Sequence, residues 1–361
     1  LYLFLVFQCI TPVLTSEDLN ILMVGNSYIY NNNMNEMVEA LLKEGSAAFD
    51  DNIGDVSVVQ FAGGGAQLQQ HSNELAGTLS QRPWTWVMLQ EQSQIPGFWG
   101  TYVSNVFENS VAAAVELDAM INDIGADTIL LMTWARQLGD NHNPFLFPDF
   151  PTMQDRLAEG YYQYRDAIST LDRPVKVAPI GLAFKLIYDT LMVQGIRPED
   201  DGTDFSILFS ESDGSHSSVH GTYLGACVIY ATLGNDPQDL DWAPLGMNER
   251  LRDYLQSVAT ATVANFDQGH PQNLEQQQDQ FTSFTEIIVE VQFDHYSDEI
   301  GWNLHDNRNN NTIAGFAAGT YPWWLYGRRI IEEIFNLERG GSYRFKITDT
   351  YGDGLCCDYG F

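Results

Sequence analysis

Four segments of the chain carry residue types suited to nucleophilic catalysis. Gly25-Asn26-Ser27-Tyr28 follows directly on the apolar run Ile21-Leu-Met-Val24 and precedes a helical pattern. A serine there stands at the carboxyl edge of a sheet, where its hydroxyl and backbone N–H face a crevice. The same tetrapeptide also reads as a serine capping the next helix. Asp213-Gly-Ser-His216 supplies a carboxylate and an imidazole three residues apart, again just ahead of a helical pattern. An imidazole can take the seryl proton while a carboxylate fixes its tautomer. Taken by itself, Asp-x-x-His is more commonly a solvent-exposed loop.

Two further segments bear on a developing negative charge. Gly63-Gly64-Gly65 follows the run at 56–61, and glycines there let backbone N–H groups approach a reacting oxygen closely, as an oxyanion hole requires. A tight turn is the plainer use of the same residues. Neither a G-x-x-x-x-G-K-[ST] nor a G-x-G-x-x-G sequence is present. Gln90-Glu91-Gln92-Ser93 follows the run at 86–89. Gln90 and Gln92 share a face if the extended conformation continues, and either side chain can donate an amide N–H.

The elements that must position these residues alternate along the chain. Apolar runs of strand length at 21–24, 56–61, 86–89, 128–133 and 175–180 are separated by amphipathic segments at 35–44, 103–124 and 153–171. Helical patterns return at 184–194, 223–233 and 251–265. This order implies βαβ units, a parallel sheet, and ligand binding at the carboxyl ends of its strands. The Gln-rich stretch 267–280 lacks an apolar period and reads as a linker. Alternating segments at 286–293, 302–304 and 343–347 then imply an antiparallel β module over 281–361.

Composition narrows the class. The 361 residues carry 48 Asp+Glu against 17 Lys+Arg, a formal net charge of −31. Such a field repels phosphate backbones and anionic membrane surfaces, which argues against nucleic-acid binding and membrane insertion. With 44% hydrophobic and 12% aromatic residues the chain is a globular one. The apolar run over residues 1–7, followed by Pro12 and small residues to Ser16, reads as the core and cleavage site of a signal peptide over 1–16, so the protein is expected to be secreted. An N-glycosylation sequon at Asn310 agrees with that. Of four cysteines, Cys9 would leave with the signal and Cys227 lies in an apolar run. Cys356 and Cys357 are adjacent, and their partners are expected beyond the end of the sequence.

Together and in this order, the four segments resemble the SGNH (GDSL-like) hydrolase superfamily, particularly the branch whose first block reads G-N-S-[YF]. The resemblance covers residues 21–265 and implies a three-layer α/β/α sandwich, over 17–266, with a flavodoxin-like parallel sheet. It implies that Ser27 is the nucleophile and that Asp213 and His216 are its acid–base pair. It further implies that Ser27, Gly64 and Gln92 donate to the oxyanion, with Gly63 and Gln90 as second choices. The usual G-x-N-D of the third block is replaced here by Gln90-Glu91-Gln92-Ser93. His220 falls just inside the following helix, whose cap is Ser217 or Ser218.

The implied chemistry is ester hydrolysis through an acyl-serine, with no metal or cofactor, on a small-molecule or polysaccharide ester; a short acyl group on a carbohydrate suits a polar cleft best. A thioesterase or lysophospholipase of the same superfamily is an alternative. Another is a non-catalytic carbohydrate-binding protein, with Trp84, Trp86, Trp99 and Trp134 as stacking platforms. The segment Asp349-Thr-Tyr-Gly-Asp353 near the end resembles a motif of β modules in secreted algal and marine proteins, and reads as an Asp-Gly turn beside a disulfide.

Overall fold

The run at 21–24 becomes the buried carboxyl half of a strand. A computed structural model describes residues 17–49, 53–101, 103–269, 284–292, 298–308, 311–320, 330–338 and 342–350. In chain order the elements are β1 (Glu17–Gly25), α1 (Ser27–Tyr30), α2 (Met34–Phe49), β2 (Ile53–Ala62), α3 (Leu68–His71), α4 (Leu75–Leu79), β3 (Trp86–Leu89), α5 (Ser104–Asp123), β4 (Asp127–Leu131), α6 (Phe150–Ile168), β5 (Lys176–Ala178), α7 (Ile180–Val193), α8 (Val219–Thr232) and α9 (Glu249–Gly269). After them come β6 (Phe284–Gln292), β7 (Ile300–Asp306), β8 (Asn311–Phe316), β9 (Ile330–Glu338) and β10 (Tyr343–Asp349).

The chain divides into two compact units, Leu1–Trp99 with Asn105–His270, and Gly100–Ser104 with Pro271–Phe361. In the first, five parallel strands run in the order β2-β1-β3-β4-β5. Ile21, Leu22, Met23 and Val24 are each 0% exposed, as a central parallel strand covered on both faces requires. Leu22 and Val24 pack with Val87 and Leu89 of β3 against Phe107, Ala114 and Leu117 of α5 and Tyr161 and Tyr164 of α6. Ile21 and Met23 point to the other face by the alternation of a strand. Helices α2, α8 and α9 pack on one another there, and α8 is buried continuously from Gly221 to Ala231. The direction of winding reverses at β1, between β2 and β3, so the crevice of this sheet opens at the carboxyl ends of those three strands.

The second unit holds a three-stranded antiparallel sheet, β10-β7-β8, and an antiparallel pair, β6-β9. They share a small core of Val291, Ile300, Trp302, Leu304 and Leu337.

Several boundaries differ from the sequence expectation. β4 and β5 end two residues early, at Leu131 and Ala178, the second because Pro179 caps α7 and starts it at Ile180. The expected linker begins later, since α9 continues to Gly269. Short helices α3 and α4, and strands β8 and β9, were not expected. The expected signal segment, Asn310, Asp353, Cys356 and Cys357 lie outside the described residues.

Candidate active site

The end of β1 is built around a missing side chain. A Cβ on Gly25 would come within 2.7 Å of Ile29 Cδ1 and closer still to Gln90 Oε1, so only glycine fits. Its carbonyl accepts the Gly63 N–H at 3.3 Å and His71 Nε2 at 2.8 Å. A carbonyl only accepts, so the His71 proton sits on Nε2; burial holds the ring's pKa down. Asn26 then caps α1: its Oδ1 accepts the Tyr28 N–H at 3.1 Å, its own N–H donates to Gln90 Oε1 at 2.9 Å, and its Nδ2 donates to Ala66 O at 3.0 Å. Ser27 is thereby the first residue of α1, half-buried.

The segment carrying His216 folds on itself. Ser210 N donates to His216 O at 2.8 Å, and Asp213 Oδ1 accepts the N–H groups of Ser215 and His216, each at 2.9 Å. This leaves Asp213 Oδ2 for His216 Nδ1 at 2.6 Å, while His216 Nε2 lies 2.8 Å from Ser27 Oγ. Burial alone would raise the Asp213 carboxyl, but its hydrogen bonds from the His216 ring and the two N–H groups outweigh it and hold it below the usual carboxylate range. With Asp213 ionised, Nδ1 carries the proton and Nε2 is free to accept from Ser27. Three residues 186 and three apart in sequence thus form one hydrogen-bonded chain.

Aromatic rings hold that loop from behind. Trp134 is 1% exposed, stacks on Tyr28 at 4.5 Å and on Phe184 at 5.2 Å, and donates its Nε1 to Ser215 O at 2.9 Å. Tyr28 meets His216 edge-on at 5.4 Å, and its hydroxyl is 2.8 Å from Ser215 Oγ. Asn32, in the left-handed region at φ 56°, donates Nδ2 to Ser217 O at 2.9 Å and to Thr222 Oγ1 at 3.1 Å. Ser218, the second of the two serines considered as cap, caps α8, and the His220 ring makes no hydrogen bond among the described residues.

The five oxyanion candidates separate clearly. Gly63 has its N–H engaged with Gly25 O, which removes it. Gln90 is buried with its Oε1 on Asn26 and its Nε2 on Glu91 O, so it is a brace for Asn26 and not a donor to ligand. The N–H groups of Ser27 and Gly64 have no hydrogen-bond partner among the described residues. Gln92 is half-buried and its amide turns onto Gln94, accepting the Gln94 N–H at 2.8 Å and donating to Gln94 Oε1 at 3.3 Å.

The tryptophans are not sugar platforms in the way the sequence allowed. Trp84 and Trp134 are buried, and Trp86 pairs with Ile21 and Asp127 at the amino-terminal end of its strand, away from the crevice, with Lys176 over its ring. Trp99 packs against the core of the first unit. Sequence reasoning gave no role to His71 and Asn32. A histidine ten residues after a buried strand has no visible signal. An asparagine in an Asn-Asn-Asn run ahead of a helix does hint at a left-handed residue.

No protein-family model matches the chain, and no curated protein sequence matches it. Among solved structures, the chain is similar to a DUF4886 family protein from Bacteroides uniformis, with TM-score 0.53 and 15% identity over 72% of this chain and 99% of that one. That likeness is one of fold, the parallel five-stranded sheet covered by helices. The chain is also similar to a candidate SGNH hydrolase from Slackia heliotrinireducens, with TM-score 0.44 and 24% identity over 60% of this chain and 100% of that one. A variant of an acetylxylan esterase from Geobacillus stearothermophilus aligns with TM-score 0.42 and 13% identity over 61% of this chain and 95% of that one.

Proposed function

We propose that this protein is a secreted serine esterase of the SGNH type that hydrolyses short acyl esters, acetyl above all, on carbohydrates. The observation that carries the reading is the hydrogen-bonded chain Ser27–His216–Asp213 at the carboxyl end of β1. In it Ser27 Oγ attacks the acyl carbon while His216 Nε2 takes its proton, and Asp213 stabilises the imidazolium that forms. The oxyanion is held by the free N–H groups of Ser27 and Gly64, with Gln92 as the third donor once its amide turns from Gln94. His216 then delivers the proton to the leaving alcohol, and water completes the cycle by the same route, releasing the carboxylic acid. No step calls on a metal ion.

The preference for a short acyl group on a soluble, bulky alcohol follows from exposure. The His216 and Asp213 side chains are 29% and 38% exposed, so this side of the site is open to water, which suits a soluble alcohol better than a lipid chain. The loop after β3 adds the polar amides of Gln92 and Gln94.

A panel of acetylated sugars, p-nitrophenyl esters of increasing chain length and an acyl-CoA, run beside Ser27→Ala, tests both parts. Turnover of acetyl esters that disappears in Ser27→Ala is the expected result. A preference for decanoyl over acetyl esters would remove the substrate class, and undiminished turnover by Ser27→Ala would remove the mechanism.

A further inference from the structure

We propose that Glu91 is a positioning residue that ties together the two loops supplying oxyanion donors, the one carrying Gly64 and the one carrying Gln92. The name of those loops rests on the esterase reading; the tie itself rests on geometry alone.

Glu91 directly follows β3, yet its side chain is turned inward and is 1% exposed. Its two carboxylate oxygens lie 3.2 and 3.4 Å from the N–H of Leu68, the first residue of α3. One of them also accepts the N–H of Gln92 at 2.5 Å, and the other accepts the hydroxyl of Ser110 on α5. Leu68 closes the segment that begins at Gly63, and Gln92 belongs to the loop after β3. One side chain therefore fixes the spacing of two loops that have no strand pairing beyond Ala62 and Leu89.

The hydrogen-bond partners of the Glu91 side chain all point donors at it. Tyr164 on α6 donates its hydroxyl to Ser110 Oγ at 2.8 Å, and Tyr161 accepts the Glu91 backbone N–H at 3.4 Å. These two phenols are the titratable groups that face Glu91 from α6, and burial pushes both up, so they stay neutral. α5 presents Ser110 and α3 a backbone N–H, neither of which titrates; His71 of α3 is turned to Gly25 O and the Phe61 ring. Among the described residues no cation pairs with Glu91. An uncompensated buried carboxylate is costly. A glutamine of the same shape would bring one accepting oxygen, where the carboxylate brings two and accepts from donors on three segments.

Burial pushes the Glu91 pKa up to about 7, against the hydrogen bonds from Ser110, Gln92 and Leu68 that pull it down. The N–H groups of Leu68 and Gln92 converge on one oxygen, so a proton there displaces a loop contact. A proton on the other oxygen meets the Ser110 hydroxyl, which can turn to accept it, and the loop N–H groups are then left on a neutral carbonyl oxygen in place of a carboxylate.

The test uses the full chain and Glu91→Gln, with ¹⁵N-leucine and ¹⁵N-glutamine labelling and p-nitrophenyl acetate as substrate. The Leu68 and Gln92 amide resonances should titrate together with a midpoint near neutrality in the wild type, and neither should titrate in Glu91→Gln. Turnover should fall about tenfold to a hundredfold in kcat with KM nearly unchanged, the cost of an oxyanion donor displaced by a fraction of an ångström. The acid limb that Glu91 adds to the pH profile should vanish with it. Amide resonances that ignore pH, or a variant with wild-type kcat and pH profile, would overturn the proposal. If the wild type turns over no ester, the esterase reading fails, and the amide titration still decides whether Glu91 joins the loops.

Discussion

The two sides of the candidate site are held by opposite means. On one side Asp213 and His216 share a loop that satisfies itself with short-range bonds, stays partly exposed, and leans on Trp134 and Tyr28. On the other, the segments after β2 and β3 are pinned from inside by Gln90 and Glu91, both buried. The first arrangement keeps a proton carrier accessible and oriented by a local carboxylate. The second fixes the backbone from which the proposed oxyanion donors project, the part of such a site that electrostatic preorganisation requires to be rigid.

The contrast is broken most severely at the base. His216→Gln should lower kcat/KM on an acetyl ester by on the order of 10⁴ to 10⁶, because nucleophile and base act as one unit. His220→Gln should stay within about twofold, since its ring contacts none of the three residues. A paired measurement with the outcomes exchanged would move the base to His220. Next in size is the aromatic wall. Trp134→Phe and Tyr28→Phe each remove one hydrogen bond to Ser215, at its carbonyl and its hydroxyl, and each should cost about tenfold in kcat with KM little changed. Equal losses in KM would make the wall a substrate contact instead.

What the sequence made legible follows the same division. β1, β3, β4 and the long helices stand out because buried parallel strands are continuous apolar runs and α5 carries a clean helical period, while β2, at the sheet edge, shows through the alternation of Val56 and Val58. The four- and five-residue helices α3 and α4 are too short to show any period, and β8 and β9 carry no clean alternation. Asp213 and His216 were readable because their three-residue spacing mirrors their spatial relation, and Ser27 because Gly25-Asn26-Ser27-Tyr28 stands directly after a buried apolar run. Gln90 and Glu91 were not: polar residues after a strand look like a solvated loop, and only the missing Cβ of Gly25 makes room for Gln90 to turn inward.

Stability against pH sharpens the comparison on the buried side. Glu91 has its pKa raised on folding, so the folded state binds the extra proton between the ordinary carboxylate range and about 7, and stability falls as pH rises through that window. Asp213, held low, acts in the opposite sense: what it contributes is present above its ordinary pKa and is lost as pH falls through its lowered one. The Tm of Glu91→Gln should therefore gain on that of the wild type between about pH 5 and about pH 8. A constant difference in thermal melts across that range would place Glu91 in a less buried setting than the structure does. A small effect is also expected from the second unit. Every residue of the proposed machinery lies before Gly269, so a folded chain ending there should keep kcat/KM on p-nitrophenyl acetate within about threefold. Inactivity of that folded chain would give the second unit a part in catalysis.

The Ser27–His216 hydrogen bond joins a strand end to a loop. Ser27 follows the buried half of β1, which is expected to exchange with solvent only on global unfolding, whereas His216 rides on a partly exposed loop held by its own short-range bonds and by Trp134, Tyr28 and Asn32. On warming, the loop should separate from the serine while the sheet is still intact. Turnover should then fall below the unfolding transition and return on cooling, a reversible thermal silencing set by residues 210–217 rather than by the domain, which turnover measured beside a thermal melt checks.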